Sequence, residues 1–255
     1  KWSYVQSAQK EQQAQASGSV HDSPAFYCQS LNAEPTLKLI KSLRMTAASK
    51  PISWIEGFGD QGGVVALSKY LSEVIQAPQH ARPLGGDMGE QESEIVRCYK
   101  ALCNNKPGLR FVCAAPSSLR AMVTALQSET GETRLIVLQL LLVVLVHQGE
   151  SGFQGVIEAF VHHAKATKSK RFEILMQQLR NEKEEDQLVV IFSIIERLVS
   201  TSEDITVRQG VLQDFMLLGL LDVVAALKKS DAYEGKLGEL IDDFEEDVKA
   251  DREEE

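Results

Sequence analysis

Leu188-Val189-Val190-Ile191-Phe192-Ser193-Ile194-Ile195 decides the fold class. Taken alone, this β-branched apolar run passes for a buried strand, because periodicity does not separate a short continuous apolar strand from a buried helix. Its flanks settle the matter. Glu184 and Glu185 before it and Glu196, Arg197 and Leu198 after it favour helix and extend it beyond the length of an ordinary buried strand. Other β-branched residues also sit in segments of helical period, so the whole chain reads as all-α.

Working outward, the same phrase occurs three times: a long apolar helix, a polar turn, a short amphipathic helix and a closing helix. The long helices are expected to end near Asn104, His147 and Ser200, and the closing ones near Leu126, Leu179 and Leu227. The interval is roughly the 40–47 residues of armadillo and HEAT units, with the last one stretched. Each long helix is too apolar to stand alone, so stacking against its neighbours must bury it.

Towards the N-terminus, Leu37, Ile40 and Leu43 keep helical spacing up to Arg44-Met45, and Pro51 excludes an α conformation at Lys50. A loop from Met45 to Pro51 is expected. Ile52, Trp54, Ile55 and Phe58, then Val64, Leu67, Tyr70 and Leu71, predict two packed helices around a glycine-rich bend from Gly57 to Gly63. Pro78, Pro83, Gly85, Gly86 and Gly89 make Gln76 to Gln91 a surface loop. Lys1 to Ser23, rich in Gln, Ala and Ser, has few apolar anchors and needs a partner or surface to order it.

The chain has 255 residues and is 44% hydrophobic, enough for one large or two small cores. Its formal net charge of −9 gives nucleic acid no broad footprint. That charge is concentrated in the last 22 residues, where eleven acidic and three basic side chains mark a solvated segment or exposed helix. Cys28, Cys98, Cys103 and Cys113 form no Cys-x-x-Cys pair, which points to a reducing cytoplasm rather than to zinc or a disulfide framework. The longest apolar stretch, Leu135 to Val146, is interrupted by Gln139 and is short of the ~20 residues of a membrane span. It reads as a buried helix.

Catalysis finds no support. His21, His80, His147, His162 and His163 show no metal-binding spacing, and the adjacent pair points in different directions, a solvent-facing or satisfied role being expected. The Gly57–Gly63 stretch lacks the Gly-Lys-Ser/Thr ending of a P-loop. No cofactor or metal is expected. Binding by surface remains, and Asn104-Asn105 at the end of a long apolar helix either caps it in the left-handed conformation or offers amides to a partner.

Read together, Cys98-Tyr99-Lys100-Ala101-Leu102-Cys103-Asn104-Asn105-Lys106, Ser42-Leu43-Arg44-Met45, Pro51-Ile52-Ser53-Trp54-Ile55 and Val211 to Leu220 resemble the GTPase-binding and FH3 region of diaphanous-related formins. The resemblance covers nearly the whole chain. It implies an armadillo-like superhelix preceded by a short helical GTPase-binding segment, with residues 1–50 as that segment and entry helix, 51–229 as the FH3 repeats and 230–255 as an acidic helical tail. It also implies a regulatory role without catalysis: a GTP-bound Rho-family GTPase displaces the formin's own C-terminal autoinhibitory helix, which controls actin filament assembly elsewhere in the protein. By matching positions, Lys1, Trp2, Met45, Thr46, Ala48, Ser49, Lys50 and Asn105 would meet the GTPase, and Asn104, Val143 and Val146 the helix. Family members often carry consecutive asparagines where this sequence has Ala48-Ser49-Lys50. The tail resembles the start of a dimerisation region, compatible with a homodimer of the full protein, but Leu237, Leu240, Ile241, Phe244 and Val248 equally suit a capping helix. The resemblance further implies a cytoplasmic, cytoskeleton-associated protein recruited to membranes by its GTPase. The other reading open at this point is an armadillo scaffold for other helical peptides.

Overall fold

The computed structural model describes residues 22–77 and 88–253. Among these there is no strand. The helices are α1 (Pro24–Asn32), α2 (Leu37–Ser49), α3 (Ile52–Asp60), α4 (Gly63–Gln76), α5 (Met88–Cys103), α6 (Lys106–Ala114), α7 (Pro116–Ala125), α8 (Gly131–Thr167), α9 (Glu173–Asn181), α10 (Glu185–Ser200), α11 (Ile205–Leu217), α12 (Leu220–Leu227) and α13 (Lys236–Glu253), with a 3₁₀ turn at Asp231–Glu234.

Local chemistry sets most of the boundaries. Ser23, Thr36, Asn105 and Asp204 cap α1, α2, α6 and α11, each accepting a hydrogen bond from a backbone N–H in the first turn. Proline opens α1 and α7, where its missing N–H is not needed. Lys50, held extended at ψ 156° before Pro51, ends α2.

Helix α8 is not a straight rod. As one, its 37 residues would span about 55 Å. Gly149, at φ 52° and ψ −136°, breaks it in a conformation that L side chains avoid. Arg134 near its start and Thr167 at its end line one cavity, so the two halves fold back on each other. Gly152 makes the bend possible, since a Cβ there would lie 2.6 Å from the Val144 carbonyl oxygen. The helix is long and apolar enough by composition to cross a membrane, but its first half is packed inside the protein through Val137, Leu141 and Val144.

With that break the helices group in threes: α3–α4–α5, α6–α7 and the first half of α8, the second half of α8 with α9 and α10, and α11–α12–α13. The third helices form a ladder, α2 on α5, α5 on α8, α8 on α10 and α10 on α13. A second row stacks α1, α4 and α7 in the same way. This is the armadillo pattern read from the repeat. Three of the four first-to-second-helix turns place a residue at positive φ: Gly62 (77°), Phe172 (64°) and Gly219 (78°). Phe172 tolerates this strain because its ring is buried against Phe160 and stacked 4.5 Å from Phe215.

Several boundaries differ from those expected. The loop placed at Met45 to Pro51 is the end of α2, which keeps helical hydrogen bonding through Ser49 because no breaker precedes Pro51. Gly57 and Gly59 lie inside α3 and let Pro24 and the Phe111 ring approach closely; the turn itself is Gln61-Gly62. Of the Gln76–Gln91 loop, residues 78–87 lie outside the described residues, while Met88 already opens α5. In the tail, α13 buries Leu237, Ile241, Phe244 and Val248, with Phe244 edge-on to Phe192 of α10, and turns its carboxylates from Glu239 to Asp247 outward.

Candidate functional site

The C-terminal ends of α2 and α5 and the first half of α8 enclose an open groove of about 780 Å³. Ala48, Lys50 and Ile52 form one wall, Lys100, Ala101, Asn104 and Asn105 the second, and Leu135, Ile136 and Gln139 the third. The ladder brings these walls together, because three helices end or pass at the same level. Ile52 is 54% exposed, a large apolar side chain left open at the mouth.

The groove is electropositive. Arg44, Lys50, Arg97 and Lys100 line it against one carboxylate, Glu132. Beneath them Glu94, only 4% exposed, accepts from Arg44 Nε at 2.7 Å and from Arg97 Nη1 at 2.5 Å, and Arg97 Nη2 reaches Glu132 at 2.6 Å. The bonds to Glu132 and then Glu94 push the Arg97 pKa further up, so its charge is permanent. Lys50 pairs with Asp22 at 3.4 Å. Lys100 has no ion pair among the described residues.

The structure sorts the expected contact residues. Met45, 59% exposed, and Ala48 and Ser49 lie on the open surface of the last turns of α2. Thr46 is corrected: it is buried, and its hydroxyl bonds to Tyr27 Oη at 2.9 Å, so it anchors α2 to α1 instead of facing outward. Asn105 does not end α5 in the left-handed conformation: at φ −141° it caps the start of α6, its side chain accepting from the Gly108 N–H at 2.9 Å, and it is half-exposed in the lining of the groove. Asn104 is exposed at the groove. Val143 is half-buried and Val146 is 50% exposed. They continue the face of Leu135 and Gln139 along α8 at helical spacing. Lys1 and Trp2 lie outside the described residues.

Sequence reasoning missed Arg97, Lys100, Leu135 and Gln139. One signal was present: Gln139 is the single polar interruption of the apolar stretch from Leu135 to Val146, and such a residue faces a surface or a partner. His163 also departs from expectation, being buried with its Nε2 unpartnered, whereas His162 and His147 are exposed. The thiols are inert at neutral pH, since burial pushes Cys103 up to about 12 and Cys113 up to about 11. Among the described residues no group of three His, Cys, Asp or Glu side chains is placed to hold a metal.

A family model for the Diaphanous GTPase-binding Domain matches residues 1–146, and one for the Diaphanous FH3 Domain matches residues 154–254. The gap between them contains the Gly149 break. Among curated proteins, Formin-F of Dictyostelium discoideum is 26% identical over 93% of this chain, and Protein diaphanous homolog 3 of Homo sapiens is 28% identical over 84%. The chain spans about a fifth of the length of these relatives, 19% and 18%. Among solved structures, E. histolytica Formin1 bound to EhRho1-GTPgammaS has the same fold, with a TM-score of 0.81 over 99% of this chain and 88% of that chain at 17% identity. A designed armadillo repeat protein in complex with a (KR)4 peptide reaches 0.58 over 86% and 79% at 15% identity. With the first family model alone covering more than half of its residues, this chain belongs to the diaphanous-related formins, as their GTPase-binding and FH3 region.

Proposed function

We propose that this region is a regulatory, partner-binding module in which a GTP-bound Rho-family GTPase and the formin's own C-terminal helix use adjoining surfaces. The observation that carries the reading is the groove itself: Ala48 and Lys50, expected to face the GTPase, and Asn104, expected to face the helix, share one cavity with Asn105. A GTPase seated on Met45, Ala48, Ser49 and Lys50 therefore comes within reach of the end of a helix laid along Asn104, Val143 and Val146, so occupancy of one surface disfavours the other. An amphipathic helix in a groove needs an apolar stripe and a few fixed polar groups, and this face supplies both. Lys1 and Trp2 extend the GTPase surface in this reading.

Residues 1–50 then provide GTPase contacts, 51–229 the repeat surface, and 230–255 a capping tail that leads towards a homodimer in the full protein. Release of the helix would free actin assembly carried by another part of a cytoplasmic, cytoskeleton-associated formin, and the GTPase would bring it to membranes. The relative bound to EhRho1-GTPgammaS supports this reading as a protein of the same fold.

The test is calorimetric titration with a panel of Rho-family GTPases, each loaded with a non-hydrolysable GTP analogue or with GDP. Binding of a member in the GTP form alone is expected. Binding that ignores the nucleotide, or binding of helical peptides while no GTPase of the panel binds in either form, would replace the proposal with a peptide scaffold.

A further inference from the structure

The first-to-second-helix turns of the last two repeats are tied to each other. Arg171, in the turn between α8 and α9, pairs with Asp214 of α11 at 2.5 Å, Phe172 stacks on Phe215, and Arg180 Nη2 donates to the Leu218 carbonyl in the turn between α11 and α12. At that second turn α11 and α12 meet at a bend of 71°, with Gly219 at φ 78°. Leu217 and Leu221 flank it, 64% and 59% exposed. A single exposed apolar side chain is ordinary. Two leucines on either side of one corner, with Ala225 exposed a turn beyond Leu221, make an apolar tip that no described residue covers.

The adjoining turn is basic, although the chain as a whole is acidic. Residues 159–172 carry Lys165, Lys168, Lys170 and Arg171 and no carboxylate. The three lysines are exposed and have no ion pair among the described residues. Against them and Arg180 stand two carboxylates, Glu173, whose Oε2 accepts from the Lys170 N–H at 3.0 Å, and Asp222, close to Gly219. The acidic tail is held at the other end of α12, where Lys228 takes Glu245 at 2.5 Å and Asp242 at 3.6 Å. A helix of eight residues puts about 12 Å between that cluster and the leucine corner.

We propose that this edge of the repeats rests on the surface of an anionic lipid bilayer, with Leu217 and Leu221 entering the boundary between headgroups and acyl chains and the lysines meeting the negative headgroups. Exposed leucines beside unpaired lysines are the composition of an interfacial anchor, in which buried apolar area and attraction to anionic lipid add. A projecting corner favours a deformable phase over a folded partner, which would need a matching cavity for both leucines. One anchor of this size gives reversible attachment, because stable anchoring takes a second signal. The surface shares no residue with the groove, and its test does not depend on the GTPase reading.

The experiment is flotation of the whole chain with vesicles of phosphatidylcholine alone and of phosphatidylcholine mixed with phosphatidylserine, at physiological and at high salt. Binding to the mixed vesicles is expected, weaker at high salt and absent with phosphatidylcholine alone. Leu217→Ser with Leu221→Ser should weaken it at least about tenfold without lowering the melting temperature. Lys168→Gly with Lys170→Ser should do the same, and because Lys168 holds φ 56°, which glycine adopts freely, a loss of binding there does not come from unfolding. Lys106→Ser with Arg110→Ser, exposed on α6 and outside this surface, should leave binding unchanged. No binding to the mixed vesicles, undiminished binding in the leucine or the lysine variant, or an equal loss in the α6 variant overturns the proposal. So does a leucine variant that elutes as a smaller species than the parent in gel filtration, which would make the corner a contact between copies of the chain.

Discussion

The carboxylate of Glu94 supports the floor of the groove, and Glu94→Gln tests that role with almost no change of shape. The native side chain is 4% exposed and holds two guanidinium groups at 2.7 and 2.5 Å. A hydrogen bond to a charged group contributes about 1.5–3 kcal/mol. Arg44 and Arg97 are 36% and 33% exposed, so each regains water when its partner is neutralised, and Arg97 keeps Glu132. Glutamine retains one acceptor oxygen. A net loss of about 2 kcal/mol follows, well short of the 3–5 kcal/mol for a fully buried pair. In a chain of this size that lowers the melting temperature by roughly 4–8 °C. Glu132→Gln, at an exposed member of the same network, should cost less than about 1 kcal/mol. Urea unfolding followed by circular dichroism measures both, and a Glu94→Gln variant within about 0.5 kcal/mol of the parent, the ordinary range for surface changes, would show that the buried carboxylate does not hold the two arginines.

Met45→Asp should lower affinity for the GTP-bound GTPase at least about tenfold with an unchanged melting temperature, because it removes an exposed anchor, while binding of the C-terminal helix persists. Val146→Asp should do the reverse in the same calorimetric assay, by placing an unpaired charge under the helix, and equal losses of both partners in either variant would refute separate surfaces. Asn105→Ala should cost about 1 kcal/mol of stability as a lost helix cap, and thermal melts that show no change would contradict the capping role. Burial, and then neighbouring His162, hold the His163 pKa below its ordinary value; the unfolded chain therefore takes up a proton before the folded one, and stability falls as pH drops below about 6.5. His163→Gln should remove that component, so that urea midpoints of parent and variant diverge between pH 7.5 and pH 5, whereas parallel pH profiles would count against it.

What was legible in the sequence is what depends on local spacing. The run around Ile191 took its helical length from its flanks, the apolar face of α13 was written in Leu237, Ile241, Phe244 and Val248, and Pro51 set the limit of α2, although the helix runs on through Ser49 where a loop from Met45 was expected. The failures share a cause. Thr46 was assigned to the GTPase by matching positions alone, but its direction is set by Tyr27, nineteen positions earlier, which only the packing of α1 on α2 brings to it. Asn105 reads as the end of one helix or as an amide for a partner, and only the bond to Gly108 shows that it opens the next helix. The electropositive groove is a property of three helices that no single one announces.

The break at Gly149 joins these two levels. Its glycine is visible in the sequence, yet nothing nearby says that the chain turns back there, because Gly152 and Gly155 read as ordinary weak points of a helix. In the fold, Gly152 leaves room for the Val144 carbonyl and Gly155 for Leu119 of α7, so three glycines at a spacing of three turn one long apolar segment into the third helix of one repeat and the first of the next. Without that turn, Arg134 and His163 would stand some 40 Å apart on a straight rod instead of lining one recess. The stacking of the later repeats on the earlier ones thus rests on a single backbone feature whose side-chain content is nil.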